Sequence, residues 1–291
     1  GLKLRAELIR VMDAFRASGI EALPFKGPVL AARLYGEAAL REFSDLDVLV
    51  RKHDVEKAMA ALGKVGYRSP QARNGAWRFE MGNHTRFMVN EQSGVVMDLH
   101  WGLMHERFVR EGDWEQVWDR LSSVTVGRRA VPTLADEDLL HYLCIHGSKH
   151  QWSSLAWLCD VAELLRARPE VDWTALLQRA RRSGTRRMLL VGLLLGDELL
   201  DAPVPAGVLG SAKKDAAVRR LAAEVGRRMF DEDRRSGPFG LALFRLRVSE
   251  RWRDRVRHVC MIAVSPGSLL HGIQCLGARV QNRLPLVGRP V

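Results

Sequence analysis

The stretch "SDLDVLV" (residues 44–50) has the apolar pattern of a buried β-strand but carries two aspartates, Asp45 and Asp47. Aspartate is depleted in strands, and a buried carboxylate is costly unless something pairs with it. Alternate side chains of a strand share a face, so both carboxylates point the same way and repel each other. A divalent cation between them removes the repulsion, and Mg²⁺ prefers such oxygen ligands. The alternative is that Asp45 caps the strand and Asp47 pairs with an arginine such as Arg41.

A third carboxylate, Asp98, interrupts another apolar strand, "VVMDLHW" (residues 95–101). If the two strands are neighbours, Asp98 completes a site of the kind that holds two metal ions. His100 shares the face of Asp98 and is expected to line the cleft, whereas Trp101 points to the opposite face and is expected in the core.

The tripeptide "FKG" (residues 25–27) ends a short predicted strand and opens a predicted helix with Pro28 at its first position. Backbone N–H groups at a helix N-terminus bind phosphate, and Gly27 allows close approach. Lys26 adds a positive charge, so this turn is a candidate phosphate site.

The chain of 291 residues is long enough for two modest domains. Strand and helix patterns predict a small α/β domain at 1–102. Helical patterns follow at 103–205, and basic helices fill 206–291, which makes the fold class α+β. From residue 202 onward, 17 basic residues oppose 7 acidic ones, so almost all of the net charge of +11 lies there. This basic region predicts a polyanionic partner or a membrane surface, although arginine-rich composition alone would also produce it.

No apolar run is long enough to span a bilayer, and no basic segment followed by an apolar core begins the chain. A cytoplasmic protein without a transmembrane segment is therefore expected. The four cysteines lie among apolar residues with no CxxC pair, which favours reduced core thiols over a disulfide framework.

The segments "FKGPVLAARLY", "REFSDLDVLV", "MDLHW" and "HGSKHQWSSLAWLCDVAELL" together resemble the uncharacterised nucleotidyltransferase family of the polymerase-β-like superfamily. Over a shorter span the chain is similar to nucleotidyltransferase toxins of abortive-infection type. Those carry Lys-Gly-Gly-Thr where this chain has Lys26, Gly27, Pro28 and Val29, so one hydroxyl contact to phosphate is missing here.

The resemblance implies a minimal nucleotidyltransferase domain with a small mixed sheet, closed by a mainly helical domain. It implies that Asp45 and Asp47 bind both metal ions and the triphosphate. Asp98 would bind the catalytic metal and act as base toward the acceptor. Arg41 and Ser44 match a phosphate-contacting Arg-x-x-Ser spacing.

The segment "HGSKHQW" (residues 146–152) is a second cluster of polar and aromatic side chains. Its place in the family pattern suggests that Lys149 reaches the triphosphate and that His146 or Trp152 borders the base or acceptor. A purely structural role for these rings is the alternative. A zinc site built on His146 and His150, which are one helical turn apart, with His141 and Cys144 nearby, is a further alternative, with no second ligand pair to support it.

The leading hypothesis is a Mg²⁺-dependent (or Mn²⁺-dependent) transfer of a nucleoside monophosphate from an NTP to an acceptor hydroxyl or phosphate. The acceptor would be RNA such as tRNA, a small molecule or a peptide. Phosphoryl transfer by the same fold and a non-catalytic nucleotide- or nucleic-acid-binding module are the alternatives. A third possibility is that residues 244–264 form a basic amphipathic helix for a membrane or partner protein.

Overall fold

The computed structural model describes residues 1–36, 41–69, 84–103, 111–231 and 237–264. Within these ranges it is an α+β protein, as predicted. The strands are β1 (Ala22–Pro24), β2 (Asp45–Val50), β3 (Tyr67–Arg68), β4 (Thr85–Asn90), β5 (Val96–His100), β6 (Ser122–Val126) and β7 (Arg129–Thr133). The helices are α1 (Leu2–Ala17), α2 (Pro28–Tyr35), α3 (Val55–Lys64), α4 (Asp136–Lys149), α5 (Leu155–Ala167), α6 (Trp173–Ser183), α7 (Arg186–Leu200), α8 (Ala206–Lys214), α9 (Ala216–Met229), α10 (Pro238–Val248) and α11 (Trp252–Val264).

Five strands form a mixed sheet in the order β1-β2-β5-β4-β3. The pairing of β2 with β5 is parallel, and the other pairings are antiparallel. In the parallel pair Asp47 lies directly opposite Asp98. The two aspartate-bearing strands are therefore neighbours, which is the condition under which Asp98 completes the site.

The two faces of β2 belong to two different hydrophobic clusters. Leu46, Val48 and Val50 pack with α1 and α3 on one face. Leu49 and the neighbouring Leu23 belong to the cluster built mainly from α4 to α10 on the other face. Because side chains alternate along a strand, the aspartates of β2 share the face of Leu49 and point toward the helices.

The segment predicted as helical from residue 103 differs from the prediction, because it contains the β6–β7 hairpin. Both strands are rich in residues that favour strands, as in "SSVTV" for β6. Gly127 takes a φ of +65° in the two-residue connection, which suits a tight hairpin turn.

A single hydrophobic cluster joins all three segments that the sequence divides at 102 and 205. It contains Phe25 beside β1, Leu143 of α4 and Phe244 of α10. The divisions themselves remain predictions. Residues 265–291 of the predicted basic region, including Cys275, lie outside the described residues. Of the other cysteines Cys144 is buried as expected, whereas Cys260 is exposed on α11.

Across the described ranges, no helix has both the length and the apolarity that crossing a bilayer requires.

The connection between α4 and α5 is fixed by a buried tryptophan. Gln151 and Trp152 both take positive φ angles, of 54° and 52°, which is uncommon for residues other than glycine. Trp152 is fully buried and lies over Gly147, where a Cβ atom would meet its ring at 2.5 Å. Trp152 is therefore a core residue, and Gly147 gives its ring room.

We expect Gly147→Ala to destabilise the fold by about 1–2 kcal/mol, although alanine in a helix interior is normally favoured over glycine by about 1 kcal/mol. The added methyl group would push against the Trp152 ring. Gly226→Ala in α9 is the matched control, because nothing lies within 4 Å of its Cβ position, and it should stabilise. Denaturant unfolding of both variants checks this, and a stabilised Gly147→Ala protein would contradict the packing.

Candidate active site

The centre of the site is Asp47, which is 4% exposed in the middle of the sheet. Lys26 donates a hydrogen bond to its Oδ1 atom at 2.8 Å, and Nε2 of His100 lies 3.0 Å from the same oxygen. Because a carboxylate can only accept, His100 donates through Nε2. Its Nδ1 atom lies 2.9 Å from Oγ1 of Thr85. Asp47 is thus held between two donors.

The charges in this pair stabilise each other. Burial alone would raise the pKa of Asp47, but the charge of Lys26 and the hydrogen bond from His100 hold it below its usual range. Burial alone would lower the pKa of Lys26, but the charge of Asp47, the nearby Tyr142 and the hydrogen bond to Asp47 together outweigh burial and raise the pKa. Both groups are therefore ionised at neutral pH.

Asp98 completes a cluster with Asp47 and His100, whose potential ligand atoms all lie within 4.8 Å of one another. Asp98 is opposite Asp47 in the parallel register, so the carboxylates share a face. Oxygen ligands of this kind fit a hard divalent cation such as Mg²⁺. His100 fits better as a donor that orients Asp47, because its Nε2 atom is already directed at that carboxylate.

Asp45 lies outside this cluster. It opens β2, opposite Val96, and is partly exposed two residues before Asp47 on the same face. Ser44 precedes the strand and is exposed. The structure therefore brings Asp47 and Asp98 together directly and places Asp45 at the adjacent end of the strand.

The turn at Lys26 brings the N-terminus of α2 against β2. Gly27 is the residue before α2 and has a φ of +55°, which favours glycine. A Cβ atom there would lie 2.9 Å from the carbonyl oxygen of Asp45, so no larger residue fits without movement. Glycine at this position lets the helix N-terminus lie beside the acidic strand.

Arg41, which the resemblance suggested as a phosphate contact, forms a bidentate ion pair with Asp160 of α5. Its Nε and Nη2 atoms each lie 2.9 Å from a carboxylate oxygen. Tyr35 donates to the same carboxylate at 3.1 Å. Burial lowers the pKa of Arg41, but the hydrogen bond and charge of Asp160 raise it further than burial lowers it. The negative charge of Asp47 also contributes to raising the pKa of Arg41.

Sequence reasoning missed Asp160 and Tyr142. Tyr142 of α4 is buried, with Nζ of Lys26 at 5.5 Å from its ring centroid. Burial raises its pKa to about 12, with the charge of Lys26 opposing. The polar residues Tyr142 and His146 lie one helical turn apart, and that spacing was the available signal.

His146 and Lys149 lie near the end of α4. The His146 ring stacks on Tyr142 with centroids 5.7 Å apart. Burial, with the charge of Lys26 adding to it, holds the pKa of His146 well below its ordinary value. The backbone carbonyl of Lys149 accepts a hydrogen bond from Arg245 of α10 at 2.9 Å. His146 is thus connected through the Tyr142 ring to the lysine that contacts Asp47.

Among the residues that the structure describes, the Asp47, Asp98 and His100 group is the only cluster of three potential metal ligands. The alternative zinc site around His146 is not supported by it. His141 is instead buried, with Nε2 at 2.7 Å from Oγ1 of Thr185.

Residues 1–201 match the model of the uncharacterised nucleotidyltransferase family. The chain belongs to this family. It is therefore classed with enzymes that transfer nucleotidyl groups, as the sequence motifs suggested. No curated protein matches the chain by sequence.

Two solved structures show a distant likeness, and both are of the antibiotic-resistance factor ANT(2'')-Ia. The solution structure is 14% identical and covers 79% of this chain and 95% of its own, with a TM-score of 0.37. The crystal structure with adenylyl-2''-tobramycin is also 14% identical, at 77% and 98% coverage and the same TM-score. A TM-score this low does not establish a shared fold.

Replacing Asp160 by asparagine should lower the free energy of unfolding by about 3–5 kcal/mol, because Arg41 would keep a largely buried charge without its partner. Glu21→Gln is the matched control. It breaks the ion pair with Arg51, whose glutamate is 66% exposed, and should change stability by less than about 1 kcal/mol. Urea unfolding measures both, and equal losses would contradict a special role for the buried pair.

The free energy of unfolding should decrease as the pH is lowered, because His141 is buried in its neutral form. Burial, together with the charge of Arg179, lowers its pKa to about 3. The unfolded chain therefore takes up a proton first, near pH 6.5. The stability that depends on neutral His141 is fully present above pH 6.5 and is lost as the pH falls toward 3. We expect His141→Gln to reduce the pH dependence of the unfolding free energy by about 1.4 kcal/mol per unit between pH 6 and 4. Unchanged slopes in urea titrations would contradict this.

Proposed function

We propose that this protein transfers a nucleoside monophosphate from an NTP to an acceptor hydroxyl or phosphate, with Mg²⁺ or Mn²⁺ held by Asp47, Asp98 and Asp45. The observation that carries the proposal is the register of β2 and β5, which sets Asp47 opposite Asp98 on the face toward the helices. Membership of the nucleotidyltransferase family supports the reaction class.

The divalent ions, when bound, neutralise charge on the triphosphate and activate the attacking oxygen. Asp47 and Asp98 would hold them, and Asp45 would reach them from the start of β2. Asp98 is also proposed as the base that accepts the proton of the acceptor. Its place opposite Asp47 puts a second carboxylate on the same side of the sheet.

The remaining residues would bind and orient the triphosphate. Lys26 already bears a charge beside Asp47, and Gly27 brings the N–H groups of the α2 N-terminus to the same strand. Lys149 and His146 are proposed to contact the nucleotide from α4. Ser44 is exposed beside the strand, where a phosphate oxygen can approach it.

Arg41 requires a modified role. Two of its donor nitrogens are engaged with Asp160, so we propose that it adds positive charge near the triphosphate while Asp160 keeps its guanidinium in place. Positioning and charge stabilisation of this kind supply most of the rate in phosphoryl chemistry.

A polyanionic acceptor such as RNA is proposed for the basic region. Some arginines of this region instead form ion pairs or hydrogen bonds within the protein. Arg247 pairs with Glu224, Arg255 donates to the carbonyl of Ser249, and Arg245 donates to that of Lys149. An RNA acceptor would therefore depend on the remaining basic residues. A small molecule or peptide acceptor needs no such surface.

The proposal predicts label transfer from [α-³²P]NTP in the presence of Mg²⁺ to an acceptor from RNA, peptide or small-molecule pools. Asp47→Asn or Asp98→Asn should lower the rate at least about a hundredfold, since even residues that only orient metal ligands typically contribute 10–100-fold. Asp13→Asn is the control, because this aspartate is an exposed residue of α1, and it should retain full activity.

A parallel reaction with [γ-³²P]NTP separates the two transferase mechanisms. Nucleotidyl transfer moves only the α-label to the acceptor, whereas transfer of the γ-label alone would identify a phosphotransferase and contradict the proposal. NTP binding without transfer of either label across all pools would favour the binding module.

A further inference from the structure

Three half-buried rings form a compact group at the junction of α4 and α5: His146, His150 and Trp157, here called the ring triad. The centroid of His146 lies 4.9 Å from that of His150 and 5.2 Å from that of Trp157. His150 and Trp157 are 5.3 Å apart. These spacings are those of ring contacts, and each member keeps part of its surface exposed.

A series of contacts connects the ring triad to Asp47. Lys26, which binds Asp47, lies over the ring of Tyr142, and Tyr142 stacks on His146. The row of rings therefore begins beside the lysine proposed to contact phosphate and leads away from it into the helical part.

Helix α5 carries both Trp157 of the ring triad and Asp160, the partner of Arg41. Asp160 follows Trp157 by three residues, so the two lie on neighbouring positions of one helix face. Asp160 holds Arg41, and Arg41 lies within the electrostatic reach of Asp47. The face of α5 that carries Trp157 thus also carries the aspartate that contacts Tyr35 of α2, the helix whose N-terminus lies beside β2.

The connection between α4 and α5 holds the ring triad in place. The two residues after His150 adopt left-handed backbone conformations, and the second of them, Trp152, is completely buried against Gly147. A rigid connection of this kind holds His150 and Trp157 in place without ligand, which reduces the ordering cost of binding a flat molecule.

We propose that the ring triad binds the base of the nucleoside triphosphate by stacking, with Trp157 as its main contact. The inference rests on the proposed function, because it places the base of the same nucleotide whose phosphates lie toward Lys26. Stacking on an aromatic side chain is available to every base and is strongest for tryptophan-sized surfaces.

The test compares ATP with inorganic tripolyphosphate, which has three linked phosphates but neither ribose nor base. Affinities with Mg²⁺ are measured by calorimetry, directly for ATP and by competition with ATP for tripolyphosphate. The variants are Trp157→Leu, which removes the ring but keeps an apolar side chain, and Trp157→Phe, which keeps a ring. Trp118→Leu is the matched control, since Trp118 is also a half-buried tryptophan packed on the same hydrophobic cluster.

We expect Trp157→Leu to weaken ATP binding about fivefold or more and to leave tripolyphosphate binding unchanged. Trp157→Phe should retain most of the ATP affinity, and Trp118→Leu should alter neither ligand. Thermal melts establish that each variant is folded.

Two results would overturn the inference: unchanged ATP affinity in folded Trp157→Leu, or equal losses for ATP and tripolyphosphate. The first would mean that the rings pack only against each other, and the second would mean that Trp157 supports the phosphate site and not the base. Failure of the unmodified protein to bind ATP or any other NTP would instead overturn the proposed function itself, so the two failures are distinguishable.

Discussion

Asp47 is a carboxylate buried in the middle of a β-sheet, and the need to stabilise its charge organises the site around it. An isolated buried carboxylate would take up a proton or destabilise the sheet. Lys26 and His100 both donate to one of its oxygens, which keeps it ionised. Each donor is itself held, His100 by Thr85 and Lys26 by the turn before α2. The central strand β2, the turn at Lys26 and the strand β5 are therefore joined through a single side chain.

The sequence predicts the parts of this arrangement that follow from strand periodicity. Alternation in "SDLDVLV" places both aspartates on one face, and alternation in "VVMDLHW" separates Asp98 and His100 from Trp101. Trp101 is indeed a buried core residue. The helix bounded by Pro28 and Gly36 likewise follows from local signals, because proline and glycine act within one turn of the chain.

The sequence does not predict contacts between distant segments. The partner of Arg41 is Asp160, 119 residues further on, and no local pattern marks the pair. Tyr142 approaches Lys26 because α4 packs against Phe25, the residue before Lys26, with the two ring centroids 5.1 Å apart. The hairpin at 122–133 was missed because its two short strands lie within a long stretch of helical patterns. Trp152 was a candidate for ligand contact, but its ring fills the space over Gly147.

Under the proposed function, the Lys26–Asp47 pair also constrains how a cation would enter the site. An ammonium already neutralises the carboxylate, so a free divalent ion gains less from Asp47 than it would from an unpaired aspartate. A triphosphate changes that balance, because its negative charges attract the cation and Lys26 together. The physical expectation is that cation and nucleotide bind as a unit, with Asp98 supplying the additional carboxylate. Under the proposed function, Lys26 would stabilise Asp47 before substrate arrives and the phosphates afterwards, so one buried charge would serve the fold and the reaction in turn.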